Sequence, residues 1–462
     1  MSIHIYRKII KNGVEIKIKN KKIQLVYPTP IWEKFPRTLH KIFADTTAYL
    51  FTWQLPLINK DTLVCHFSNS LLENLFFKIL IYSIPMNIFD DNQLKTSELI
   101  KDFLNLNFLS QFKGNFFSSF TSGKKIKAKL KERAILLFSF GKESLLTYGL
   151  LKEMKIEPIL IFIKEPLSQF ENIHKKKLAK DFFNDFKDKV CFFPIDLGLL
   201  RQNTGMYWGW EIILSQYIFL LVPYLFYYQC KYLFLGNEQS CNFYLPDKEG
   251  FFINPVFEQS LKAMEILQNI PKQFFIKTLI SSLVLPIHEI FITYILHYRY
   301  SNIGKYQMSC FSEEETAKRN RWCGQCEKCA RIYIFLKALN INPKKVNFVK
   351  KNMLSLKKEK LYVLFNRNSV DSAYGSSGLG RDEQLLAFYL AYKNKVKGQL
   401  IDKFARLYLK EAKKKKHKLI KTYFNIFNNH YLLPFFLKKK IIKIFIEEKE
   451  NVLQYIKKIL SS

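Results

Sequence analysis

The chain has 462 residues, 48% of them hydrophobic and 24% charged, with 16 Gly, 15 Pro, 8 Cys and a formal net charge of +34. That apolar fraction excludes a disordered chain, and so little Gly and Pro excludes collagen-like or low-complexity architecture. The length implies two to four domains at roughly 100–200 residues each. The excess of 73 Lys and Arg over 39 Asp and Glu invites a nucleic-acid partner. Lys is, however, favoured over Arg, and Ile, Phe, Asn and Tyr over Ala, Gly and Val, so the charge equally fits a compositional bias with Lys on solvated faces.

Residues 1–20 offer no uninterrupted apolar stretch before a small-residue cleavage site, so no secretory leader is expected. The longest apolar run, Tyr217 to Tyr228, contains Pro223 and is shorter than the ~20 residues of a bilayer-spanning helix. A cytoplasmic protein with no membrane insertion is the expectation.

In chain order, residues 1–125 read as a small α+β domain: alternating runs at Val14–Lys19 and Ile23–Tyr27, a Pro28/Pro30 turn, then helices. Thr121–Arg133 is polar and basic and reads as a linker. From Ala134, compact apolar runs at 134–138, 158–163, 190–195 and 232–236 alternate with helix-length segments, the last of these a single helix from Met206 to about Gln229. Short buried strands alternating with helices predict an α/β fold with a parallel sheet covered on both faces, over residues 126–345. Residues 346–462 read as a basic helical C-terminal region, with Lys413–Lys416 as a solvated charge run.

At AILLFSFGKESLLTYGLL a buried strand runs into a Ser/Gly loop that opens a helix. Unsatisfied N–H groups at such a helix start form an anion site, to which Ser139 and Ser144 add hydroxyls, Gly141 close approach and Lys142 a positive charge. The fourth strand ends in a polar cluster, Asn237, Glu238, Ser240, Cys241 and Asn242, where a parallel sheet binds its ligand. Cys310, Cys323, Cys326 and Cys329, spaced C-x12-C-x2-C-x2-C, suit a structural tetrahedral Zn²⁺ with no open position; an iron–sulfur cluster is the competing reading. Arg381, beside a Gly-Leu-Gly turn in Tyr374–Glu383, offers a planar fork to a substrate oxyanion, and Asp382 suits the first turn of the helix that follows.

The segment Ser139, Phe140, Gly141, Lys142, Glu143, Ser144 resembles the PP-loop of the N-type ATP pyrophosphatases, Ser-Gly-Gly-x-Asp-Ser, departing at Phe140 and Glu143. That resemblance implies a doubly wound, adenine nucleotide alpha hydrolase-like sheet in which this loop binds ATP. With the cysteine motif and Arg331, residues 134–340 resemble 7-cyano-7-deazaguanine synthase. Phe138–Leu146, Leu235–Asn242, Asn254–Ser260 and Ser377–Leu400 resemble the UDP-N-acetylmuramoyl-L-alanyl-L-glutamate epimerase family. The latter resemblance implies a peptidoglycan-precursor isomerase that uses ATP and Mg²⁺ and makes an acyl adenylate, with a carboxylate such as Glu143 near the Mg²⁺. Lys142, Cys241 and His288 are the catalytic candidates by type and position. Three other readings stay open: a carboxylate-activating ligase, a tRNA-modifying PP-loop enzyme, and a non-catalytic nucleotide- or RNA-binding module.

Overall fold

The computed structural model describes residues 2–59, 61–70, 72–83, 95–114, 129–201, 211–310, 315–348, 352–366, 378–427 and 432–461. The chain opens on an antiparallel meander of β1 (Ser2–Ile10), β2 (Gly13–Ile18) and β3 (Lys21–Val26). Its alternation places Val14 and Ile16 on a buried face and leaves the lysines between strands in solvent. After α1 (Arg37–Leu50), β4 (Thr62–Cys65) and β5 (Ser110–Phe112) add in parallel, giving a mixed sheet of order β3-β2-β1-β4-β5.

The second sheet holds β6 (Lys131–Leu137), β7 (Glu157–Lys164), β8 (Val190–Pro194) and β9 (Cys230–Leu235), then, after a short hairpin of β10 (Leu245–Pro246) and β11 (Phe252–Ile253), β12 (Leu279–Ser282). Its order is β12-β9-β6-β7-β8 and every neighbouring pair is parallel. The predicted α/β class and parallel sheet are therefore present. Strand order reverses between β6 and β9, which makes the crevice above their carboxyl ends the place where such a sheet receives ligands.

Alternate strand residues feed two cores. Ala134, Leu136, Leu160, Phe162, Tyr232 and Phe234 face one, shared with α2 (Lys142–Glu153), α3 (Gln169–Phe186) and the C-terminal helices. Ile135, Ile161, Ile163, Leu233, Leu235 and Ile280 face the other, which is continuous with the buried residues of the N-terminal sheet and α1. Phe43 of α1 stacks on Phe219 at 4.8 Å, and Tyr27 Oη donates to the Leu220 carbonyl at 2.8 Å. Each fully buried side chain of this size contributes about 1.5–3 kcal/mol, so this second core ties the N-terminal sheet to the parallel one.

Two expectations are corrected. The single helix expected from Met206 to about Gln229 is, over its described residues, two helices, α4 (Ile213–Leu220) and α5 (Val222–Tyr228). Pro223 lacks an N–H and occupies the first turn of α5, the one place in a helix where nothing is lost by it. Of the expected linker Thr121–Arg133, residues up to 128 lie outside the described residues, and Lys131–Arg133 already belong to β6.

Beyond β12 come α6 (Glu289–Tyr298), α7 (Glu327–Ala338), α8 (Gly378–Lys393), α9 (Gln399–Leu407), α10 (Leu409–Tyr423) and α11 (Phe435–Ser461). Of the expected solvated run Lys413–Lys416 on α10, Lys413 and Lys414 are exposed, whereas Lys415 and Lys416 are half-buried, Lys415 pairing with Glu411 at 2.8 Å. Among the described residues no helix is long and apolar enough to cross a membrane.

Candidate functional site

The loop after β6 has the backbone that its Ser/Gly content predicted, with one feature that its side chains did not. Phe140 stands at φ +57°, the left-handed conformation that favours glycine. Its ring is fully buried against Phe138 (4.6 Å) and Phe182 (5.8 Å), so packing holds a bulky residue in a glycine conformation. Met308 N–H donates to the Phe140 carbonyl at 2.8 Å, and the buried Lys175 donates to the carbonyls of Ser139 and, at 2.8 Å, of Met308. Burial lowers the Lys175 pKa to about 8. These contacts occupy the loop carbonyls and leave the first-turn N–H groups of α2 without helical acceptors.

The loop's side chains turn inward more than expected. Ser144 Oγ donates to the Gly141 carbonyl at 3.1 Å, and Gly141 N–H donates to Ser139 Oγ at 3.3 Å. Lys142 is buried and pairs with Glu143 and with Glu289, whose Oε2 lies 3.1 Å away. Burial disfavours its charge, yet Glu143 and Glu289 together hold its pKa above the ordinary lysine value.

Across the switch point, the turn after β9 approaches this loop so closely that a Cβ on Gly236 would sit 2.9 Å from Glu143 Cβ. Ser282 Oγ donates to the Asn237 carbonyl at 2.6 Å and Asn254 Nδ2 to the Cys241 carbonyl at 2.9 Å, fixing the turn from both sides. Asn242 Oδ1 accepts from Leu261 N–H at 2.7 Å, a structural role. Within the turn Glu238 accepts from Ser240 N–H at 2.8 Å, Cys241 Sγ lies 3.8 Å from Glu238 Oε1, and Ser240 Oγ lies 3.0 Å from His288 Nδ1. Asn237 is buried with no partner for Nδ2 among the described residues.

The electrostatics sort these groups. Burial, reinforced by Glu289 and Glu383, pushes the Glu238 carboxyl well above the usual carboxylate range, which favours its protonated form. Burial and Glu238 do the same to the Cys241 thiol. Burial lowers His288 to about 4, leaving a neutral imidazole packed edge-on against Tyr423 and Phe427. The crevice thus brings Lys142, Cys241 and His288 to one place, with a neutral imidazole and a carboxyl whose charge burial disfavours.

Residues the sequence did not single out complete the cluster. Glu289, at the first position of α6, lies 3.1 Å from both Lys142 Nζ and Arg331 Nε, and these two cations keep it ionised against burial. Glu383, on α8, accepts from Ile290 N–H at 2.9 Å. The only signal for Glu289 was its adjacency to His288 after Pro286. Arg381 is directed elsewhere: its two terminal nitrogens meet Glu411 at 2.9 and 2.8 Å, with Asp382 at 3.4 Å and the Tyr408 ring beneath. Of its Gly-rich approach, residues 374–377 lie outside the described residues, and Asp382 sits in α8, which begins at Gly378.

The four cysteines of the predicted metal site converge, their sulfurs all within 4.8 Å of one another. The pairs Cys323–Cys329 and Cys310–Cys326 are 3.7 and 4.0 Å apart, against the ~3.8 Å that a tetrahedron with ~2.3 Å metal–sulfur bonds demands. Four backbone N–H groups, of Cys323, Gly324, Gln325 and Cys329, point at these sulfurs from 3.3–3.4 Å. Such donors stabilise thiolates, so the residues present fit a metal such as zinc. Gly324 supplies the φ of +67° that the turn needs. The motif opens directly into α7, which carries Arg331 to Glu289. Compared with protein-family models, with curated proteins and with solved structures, the chain matches none.

Proposed function

We propose that the chain is an ATP-consuming isomerase that inverts Cα of the terminal L-glutamate of UDP-N-acetylmuramoyl-L-alanyl-L-glutamate, a peptidoglycan precursor, in the cytoplasm. One observation carries the reading: at the switch point of a parallel sheet, a helix start with free N–H groups faces a turn in which the Glu238 carboxyl and the Cys241 thiol lie within reach of each other and Ser240 meets the neutral imidazole of His288.

An α-carboxylate oxygen of the substrate attacks the α-phosphorus of ATP and pyrophosphate leaves. The resulting acyl adenylate has lost the carboxylate charge that would oppose a neighbouring carbanion, so the Cα proton becomes removable. His288, neutral and held by Ser240, is the base; Glu238, protonated and beside Cys241, returns a proton from the opposite side. Water then cleaves the acyl adenylate to AMP and the D-glutamate product. The N–H groups opening α2 hold phosphate oxygens, and Asn237 Nδ2 donates to the substrate. The four cysteines would hold one structural Zn²⁺, bracing the turn that leads into α7, and Mg²⁺ would offset the charge of the nucleotide phosphates.

The test is turnover with ATP, Mg²⁺ and the nucleotide dipeptide in deuterated water. AMP, pyrophosphate and deuterium at Cα are expected. Inversion without deuterium, or ADP as the product, overturns the reading.

A further inference from the structure

The opposite edge of the parallel sheet, where the strands begin, carries a feature that the proposed chemistry does not use. Phe435, at the start of α11, is 80% exposed, the most exposed large hydrophobic side chain among the described residues, and Phe436 beside it is 47% exposed. Lys231, at the start of β9, lies 5.6 Å over the Phe436 ring, which places these phenyl rings at the strand-entry edge. Phe275, which leads into β12 and is 47% exposed, reaches the same edge, where Thr278 Oγ1 donates to the Cys230 carbonyl at 2.7 Å. Lys438, Lys439 and Lys440 follow the two phenyl rings after the buried Leu437, and the stretch from 435 to 446 contains no acidic residue.

We propose that this edge docks on an anionic lipid surface, with Phe435 inserted at the headgroup boundary, Phe436 at its margin beneath Lys231, and the lysines on the lipid phosphates. Exposed phenyl rings cost free energy in water and gain it at a bilayer interface, and a juxtaposed Lys run is drawn to an anionic leaflet. Charge selects this occupant over the alternatives. A second copy of the chain would press one Lys run against another under a net charge of +34 each. A single-stranded nucleic acid would need rings forming a common stacking platform, whereas consecutive helical positions such as 435 and 436 diverge by about 100°. Docking on this edge leaves the crevice at the carboxyl ends of the strands open to solvent, so it stands or falls independently of the proposed reaction.

Sedimentation of the full chain with vesicles of phosphatidylcholine, with and without phosphatidylglycerol, tests the assignment. Binding is expected only to the anionic vesicles, and high salt should reverse it. Phe435→Ser with Phe436→Ser should weaken it by about tenfold or more, as should Lys438→Glu with Lys439→Glu and Lys440→Glu, each with unchanged circular dichroism. No binding to anionic vesicles, equal binding by the double Phe variant, or release by single-stranded RNA of sub-stoichiometric amount would overturn it, the last pointing to a nucleic-acid surface and a concentration-dependent dimer to self-association.

Discussion

Lys142 Nζ and Arg331 Nε meet on a single atom, each 3.1 Å from Glu289 Oε2. Lys142 opens the helix after the loop that follows β6, and Arg331 lies on the helix that leaves the cysteine cluster, so this carboxylate couples the cysteine cluster to that loop. Both cations are largely buried, with side chains 4% and 11% exposed. Removing one partner of such a cluster strands the others in a medium that cannot solvate them, at a cost of about 3–5 kcal/mol. Glu289→Gln should therefore lower stability by about 3 kcal/mol, because Glu143 still neutralises Lys142. A lower denaturant midpoint with an unchanged slope checks it.

Phe140→Gly should destabilise the chain although the position has the φ of a glycine. Relief of the left-handed conformation returns about 1–2 kcal/mol, but the vacated aromatic site costs about 3–5 kcal/mol as an unfilled cavity. The cavity term wins, for a net loss of about 2 kcal/mol. Equal or greater stability of the variant in urea titration would show that the ring is strained rather than packed.

Cys326→Ser should release about one zinc per chain and unfold or aggregate the protein, since structural zinc supplies folding free energy of order ~10 kcal/mol. Elemental analysis reads the metal. Trp322 reports the local structure, because it is buried beside Cys323 with Nε1 donating to the Val346 carbonyl at 2.8 Å, and a Trp322→Phe control isolates its emission. A folded wild type with neither zinc nor iron would refute the metal centre.

Two buried histidines and a buried glutamate should give opposing pH dependences. His288, lowered from 6.5 to about 4, refuses a proton that the unfolded chain accepts, so it removes stability as pH falls from about 6.5 towards 4. His297, likewise lowered to about 4 by burial, acts in the same sense. Glu258, raised by burial from 4.5 to about 8, keeps a proton that the unfolded chain releases, so its stabilisation is complete below 4.5 and lost as pH rises to about 8. Between 4.5 and 6.5 the effects partly cancel. His288→Asn, which keeps a nitrogen near Ser240 Oγ, should flatten the acid limb, and Glu258→Gln should flatten the limb between about 6.5 and 8. Unfolding free energies measured across pH 4–9 would separate them.

The sequence made some of this legible and not the rest, for physical reasons. Runs of apolar residues at 134–138, 158–163, 190–195 and 232–236 announce strands buried on both faces, and β6, β7, β8 and β9 lie there. The fifth strand, Leu279–Ser282, ends in two serines and owes its conformation to pairing with β9, which no local pattern encodes. Cysteine spacing revealed the convergence of the four sulfurs because three of the four are neighbours along the chain. The Lys142–Glu289–Arg331 cluster joins residues far apart in sequence, and Arg381 looked available only because Glu411, its partner, lies thirty residues on.

The contact at Gly236 sets the gauge of the crevice. Its backbone needs no glycine for conformation; what it lacks is a side chain, and any methyl there would collide with Glu143 at 2.9 Å. A residue with a side chain would act as a shim driven between the two halves of the sheet, spreading the loop after β6 from the turn that carries Glu238, Ser240 and Cys241. Loop and turn would then each survive intact but out of step, so the spacing between them is set here by an atom that is not present.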